Sequence, residues 1–206
     1  GDQPAGRPIV GRKETIGVYT QTAVVGYKNE HYTSRNMLIV AAGDVDNART
    51  KALVDRYFTG ITDGQKNTKK QTTVALHKPS SLIEKKPTDQ THLIVGFHAY
   101  TMFSEKRFSA KILASVLGGN MSSRLFLDIR EKKGLAYYVG TTLETLLDCG
   151  MFYTKAGVRN GKAEEAMAAI LKEHQRIAKN GITQKELVKS KDYIISKMVL
   201  GLETSD

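Results

Sequence analysis

Arg130 and Tyr137 are the side chains whose types and spacing best suit chemistry on a carbonyl group. Arg130 falls in the last turn expected of a short amphipathic helix carrying Leu125, Phe126 and Ile129 on one side. That helix should stop at Gly134, a residue type suited to the left-handed conformation at a helix end. The chain then turns straight into a strand with Tyr137 near its start. A helix end followed by a reversal can bring both side chains to one rim. One always-charged fork of donors beside one phenolic hydroxyl suits gripping a carbonyl or stabilising an oxyanion. The same pair also fits structural roles, with Arg130 complementing the helix C-terminus and Tyr137 a half-buried strand aromatic. On residue type alone the structural roles are favoured.

The elements that must hold this pair can be read from periodicity. Residues 14–27 have weak helical character, and 36–42 form an apolar run of strand type followed by a turn at 43–46. Asp46 can cap a helix through Phe58 with Ala48, Ala52, Leu53 and Tyr57 at helical spacing. Residues 60–70 are polar and lysine-rich, a short strand is expected at 72–77, and a second polar stretch follows at 78–89. Then come a strand at 92–99 and a helix capped by Ser104 with Ala110, Leu113, Ala114 and Leu117 on one face, ended by Gly118 and Gly119. Ser122 reads as the cap of the helix bearing Arg130, and Arg124 can pair with Asp128 as a solvated ion pair. Strands at 136–145 and 151–158 flank a turn, and a helix over 162–179 turns Ala163, Met167, Ile170 and Ile177 inward. Thr183 with Glu186 three residues on is a capping box opening a last helix. Antiparallel strands with segregated helices predict an α+β fold, a two-layer antiparallel sheet with helices packed on one face.

Composition narrows the classes of function. The 40% hydrophobic and 25% charged content is that of an ordinary globular chain, and the longest apolar runs are strand-sized, so no membrane span is expected. Net charge is +10, spread as +2 over 1–60, +3 over 61–90 and +5 over 91–206. No basic stripe interleaved with aromatics occurs, which disfavours a nucleic-acid-binding module. A basic surface can instead attract acidic peptides or an acidic partner domain. Cys149 is the only cysteine, so no intrachain disulfide forms; this is compatible with the cytoplasm, the compartment the reading favours.

Several runs carry a resemblance. They are Gly-Gly-x-Met-Ser-Ser-Arg-Leu at 118–125 and Ile-Arg-Glu-Lys-x-Gly-Leu-Ala-Tyr at 129–137. Upstream lie His31-Tyr32-Thr33, Asn36-Met37 and Ala42-Gly43-Asp44-Val45-Asp46; downstream lie Gly181-Ile182-Thr183, Glu186-Leu187 and Leu202-Glu203-Thr204-Ser205. In order and spacing the chain resembles the insulinase-like (pitrilysin) zinc metallopeptidase family, including the mitochondrial processing peptidase group. The resemblance implies the processing-peptidase-like metallohydrolase fold, built from two similar α+β domains of which the first holds zinc. Residues 1–60 then correspond to the C-terminal portion of the zinc-type domain, 61–89 to a linker, and 90–206 to a second, non-zinc, substrate-cradling domain truncated at its end. On this expectation the chain is a fragment cut at both ends.

Family enzymes hold zinc through an inverted His-x-x-Glu-His helix and a downstream Glu. His31, His77, His92, His98 and His174 include no pair with that spacing. Zinc is therefore expected in the parent enzyme and not in this chain, which alone should be inactive. By resemblance Arg130 and Tyr137 contact substrate. The expected partners are a peptide or unfolded polypeptide substrate and the missing zinc-binding domain or a partner subunit, with no nucleic acid and no membrane. Unpaired strand edges of a truncated domain also make a homo-oligomer an expectation. The leading reading is the non-zinc region of a metalloendopeptidase; the alternative is a non-catalytic subunit or scaffold of the same family. Chelator-washed protein is expected to carry no stoichiometric zinc in elemental analysis, and zinc held by its histidines would defeat this reading of the donor set.

Overall fold

Side-chain caps start the two longer helices of the N-terminal part of the chain. In the computed structural model, which describes residues 3–73 and 78–203, the Thr20 hydroxyl accepts from the Ala23 amide at 3.2 Å. Asp46 accepts from the Arg49 amide at 2.6 Å, as its sequence position leads one to expect. These caps open α2 (Gln21–His31) and α3 (Asn47–Tyr57), after a short α1 (Lys13–Ile16). The chain divides into two compact units, 1–73 and 74–206. In the first, Thr33 is the one buried residue among those described, and large apolar side chains such as Leu38 and Val40 remain exposed.

The strand expected at 36–42 is not formed. Ser34–Asn36 is a 3-10 turn and Met37 is extended (φ −112°, ψ 143°), but no neighbouring strand pairs with this segment among the described residues. An apolar extended run becomes a strand only when its backbone groups find a ladder. Residues 63–67 are instead tied to 31–36. The Arg35 guanidinium donates to both Asp63 carboxylate oxygens at 3.0 and 3.3 Å, and the Ser34 hydroxyl donates at 2.8 Å. Those donors hold the Asp63 carboxyl below its ordinary value. The Asn36 side chain donates to the Gln65 carbonyl and accepts from the Asn67 amide. The strand expected at 72–77 falls on residues 74–77, which lie outside the described residues.

The second unit is the α+β layer pair. Strands β1 (Gln90–His98), β2 (Ala136–Thr145) and β3 (Gly150–Arg159) form an antiparallel sheet in the order β1-β3-β2. Period-2 alternation sends Leu93 and Val95, Val139 and Thr141, and Phe152, Thr154, Ala156 and Val158 to one face. Against that face pack α4 (Lys106–Gly118), a π-helix (Phe126–Lys132) and α5 (Ala163–Asn180), while α6 (Gln184–Gly201) follows. Leu117, Leu125, Ile129 and Ile170 are completely buried in this core, each worth about 1.5–3 kcal/mol relative to exposure. The inward stripe of α5 runs through Ala166, Ala169, Ile170, Glu173 and Ile177. Met167, expected inside, is exposed, because the buried stripe runs through Ala166, Ala169, Ile170 and Glu173 and leaves Met167 and Ala168 on the outer side. Ser104 does not cap α4 with its side chain; its carbonyl accepts from the Arg107 amide and guanidinium.

Two features brace the sheet. On its outer face His92, Gly157 and Tyr138 share one register line across β1, β3 and β2. The Tyr138 ring lies over Gly157, where a Cβ would stand 2.3 Å from the ring, and its hydroxyl meets His92 Nδ1 at 2.9 Å. The missing side chain on the central strand lets one edge strand reach the other. On the inner face, Thr141 and Thr154 hydroxyls bond at 2.8 Å, and Thr154 bonds His174 Nε2 at 2.8 Å. His174 packs beside the rings of Phe97 and Phe152; burial lowers its pKa, opposed in part by the Glu173 charge.

Gly157→Ala should destabilise this unit by about 1–3 kcal/mol, the usual cost of forcing atoms into a packed contact. The same substitution in a Tyr138→Ala background should cost little, since the ring it strikes is gone. Denaturation of the four members of this cycle gives the coupling, and additive effects would refute the cross-strand brace.

Candidate functional site

The segment that carries Arg130 begins in a closely packed turn. A Cβ on Gly118 would lie 2.4 Å from the Thr141 amide nitrogen, so only glycine lets α4 end this close to β2. Asn120 then organises the reversal: its side-chain oxygen accepts from the Ser122 amide at 2.9 Å and the Ser122 hydroxyl at 2.7 Å. Its carbonyl accepts from both the amide and the hydroxyl of Ser123. Ser122 is not the helix cap expected from sequence: the helix begins at Arg124, so Ser123 stands at the cap position while Ser122 donates into the Asx turn of Asn120.

The helix that follows is wound more loosely than an α-helix. Phe126–Lys132 is a π-helix, and the Lys133 amide donates to the Asp128 carbonyl five residues back at 3.2 Å. Leu125 and Ile129 bury themselves in the core, and Gly134 ends the helix at φ 59° as its position suggests. The Leu135 amide closes the end on the Ile129 carbonyl. Arg130 is exposed, with its guanidinium carbon 4.8 Å from the centroid of the Phe126 ring. The register between β2 and β3 shifts between Ala136 and Tyr138, which places Tyr137 in a β-bulge at the strand entrance. Bulges re-aim side chains, and Tyr137 is 55% exposed. No hydrogen bond or ring contact joins Arg130 to Tyr137 among the described residues; what they share is exposure at the two ends of one helix-to-strand reversal.

Arg124 departs furthest from expectation. It does not form a solvated pair with Asp128, which binds Lys133 instead. Its side chain is only 16% exposed, and its Nε and Nη2 donate to the two oxygens of Glu186 at 2.6 and 2.8 Å. Nη1 reaches Glu173 at 3.3 Å and Nη2 also donates to the Gly181 carbonyl at 3.2 Å. Glu186 meanwhile accepts from the Thr183 amide at 2.8 Å while the Thr183 hydroxyl accepts from the Glu186 amide, the capping box expected at α6. One carboxylate therefore starts α6 and docks it against the helix bearing Arg130. The Arg124 guanidinium, with the Thr183 donors, holds the Glu186 carboxyl down from 4.5 to about 2. The sequence showed the capping box but not its second use, because a partner 62 residues away has no local signature.

The donors of the described residues do not fit zinc. Among the described residues no group of three or more His, Cys, Asp or Glu is placed to hold a metal ion. His31 bonds Asn67, His92 bonds Tyr138 and His174 bonds Thr154, while His77 lies outside the described residues. Among the described residues no helix is long and apolar enough to cross a membrane.

Fold and donor set together define a two-layer α+β domain whose exposed polar groups surround a helix-to-strand reversal and no metal cluster among the described residues. A family model described as Peptidase M16 inactive domain matches residues 19–194. The chain is 32% identical over 209 residues to an uncharacterized zinc protease of Mycobacterium leprae (strain TN), covering all of this chain and 47% of the relative. It is 32% identical over 210 residues to the uncharacterized zinc protease YmxG of Bacillus subtilis (strain 168), again covering all of this chain and 50% of the relative. A crystal structure of a peptidase M16 inactive domain from Pseudomonas fluorescens superposes with TM-score 0.79 at 23% identity, over 90% of this chain and 45% of that one. The chain belongs to the M16, insulinase-like peptidase family and carries its inactive domain. It spans about half the length of the curated relatives it matches.

Replacing Arg124 by Met should cost about 1.5–3 kcal/mol at pH 7, the range for losing hydrogen bonds to a charged group, because Glu186 is partly exposed and keeps the Thr183 donors. Because the folded Glu186 pKa is depressed, its contribution is complete above about 4.5 and is lost as the pH falls through about 2. Urea denaturation from pH 7 downward should show wild type and variant converging across that window. A constant gap at every pH would remove Glu186 from the account.

Proposed function

We propose that this chain is the part of an M16 peptidase that holds polypeptide substrate, with hydrolysis carried out at a zinc site outside it. The observation that carries the reading is the placement of Arg130 and Tyr137. Both are solvent-facing polar groups raised on a rigid base, in an inactive domain whose relatives are named zinc proteases. The Arg130 guanidinium carbon lies over the Phe126 ring, and its N–H groups, which no described residue accepts from, suit a peptide carbonyl or carboxylate. Tyr137 supplies a single hydroxyl donor from the bulge, suited to an oxygen on which charge develops. Substrate enclosure, and a zinc-bearing domain as partner, follow from this reading. A scaffold subunit without catalytic function is the competing reading, and the same experiment separates them.

In the full-length protein, Tyr137→Phe keeps the ring and removes one donor, so turnover should fall with an unchanged melting temperature. The loss of one transition-state donor reaches about 2.7–4 kcal/mol in strong cases. Arg130→Ala should raise KM as well as lower kcat, since it deletes a charged fork. Peptidase kinetics paired with thermal melts checks both. Normal turnover in both variants, or loss only through unfolding, would leave the pair structural.

A further inference from the structure

An open groove of about 430 Å³ runs between the end of the π-helix and α5. Helix α5 lines it with Lys172, Gln175, Arg176 and Lys179, residues spaced by three and four so that they share one face. Lys133 lines it from the other side, three residues beyond Arg130. Two carboxylates also line the groove, and both already have cationic partners. Asp128 is paired with Lys133, and Glu173 with Arg124 and Arg176. Lys172 and Lys179 have no ion pair among the described residues, so the groove carries two cations in excess of its anions.

We infer that this groove is a binding site for an acidic segment of a polypeptide substrate, with Lys172 and Lys179 taking Asp or Glu side chains. The inference rests on the reading of this domain as a substrate holder and specifies a class of sequence for it. Charge complementarity selects an anion. The fixed carboxylates of Asp128 and Glu173 interrupt the cationic lining, which disfavours a continuous phosphate backbone and suits acidic groups spaced along a peptide. Gln175 and Asn180 offer amides that can bond a peptide main chain, and no aromatic ring lines the groove for bases to stack on.

Fluorescence anisotropy of the intact chain provides the test, with a labelled peptide of Glu spaced by Gly and Ser and a second peptide carrying Gln at every Glu. The Glu peptide should bind and the Gln peptide should not, with affinity falling as salt screens the pairs. Lys172→Glu combined with Lys179→Glu should weaken binding at least about tenfold. Lys155→Glu, exposed on the opposite face of the sheet, should not. Circular dichroism establishes that each variant is folded. Equal binding of the Gln peptide, or equal loss in Lys155→Glu, overturns the site. A single-stranded oligonucleotide that binds more tightly than the peptide, with the same dependence on Lys172 and Lys179, also overturns the peptide assignment. If Arg130→Ala impairs catalysis while no acidic peptide binds, the groove alone fails. Normal turnover in Arg130→Ala removes the substrate-holding reading itself.

Discussion

A single guanidinium joins three parts of the second unit. Arg124 leaves the turn after α4 and donates to Glu186 at the start of α6, to Glu173 inside α5 and to the carbonyl of Gly181 between them. Burying these charges is costly in isolation, and it is tolerated because the fork and the two carboxylates satisfy one another with good geometry. The cluster does more than bind helices together. It fixes where the helix bearing Arg130 emerges, and the exposed groups of that helix inherit their position from it.

The remaining constraints act on the same short stretch of chain. Gly118 permits contact with β2, the Tyr193 hydroxyl donates to the Gly119 carbonyl at 3.0 Å, and Asn120 shapes the turn. Downstream, Leu125 and Ile129 anchor the π-helix from below while Phe126 supports Arg130 from the side. The turn that begins at Gly118 and Gly119 is therefore surrounded by partners. Precision at an exposed site requires such support, since a displacement of about 1 Å is enough to spoil a binding geometry.

Local signals in the sequence specify much of this fold, although the serines at 104 and 122 are not the caps their positions suggest, and distant contacts leave no signal. The caps at Asp46 and Thr183, the helix stop at Gly134 and the strands of the second unit all follow from residue types within a few positions. The run at 36–42 has the apolar content of a strand, but a ladder needs a neighbour that the described residues do not provide. Helical spacing points Arg124 to Asp128, because its actual partners lie 49 and 62 residues away. The reach of Tyr138 across Gly157 to His92 was likewise hidden, since it depends on register among three strands. Arg130 and Tyr137 could be singled out by their place around a helix end, yet neither the π winding nor the bulge has a signature in single residues.

The loose winding of Phe126–Lys132 sets a limit on how this segment can change in length. A π-helix accommodates an extra residue within a helical turn, so losing one residue here would restore ordinary α-helical bonding and would ease the local backbone. The turn would close on the same 360° with one residue fewer, so Lys133, the glycine stop and the bulge at Tyr137 would keep their side. The side chains inside the turn would each move one place relative to the core, so Ile129 and Arg130 could not both keep theirs. A deletion that improves the helix would thus spoil the surface that the helix presents, which makes the length of this stretch as restrictive as the identity of its residues.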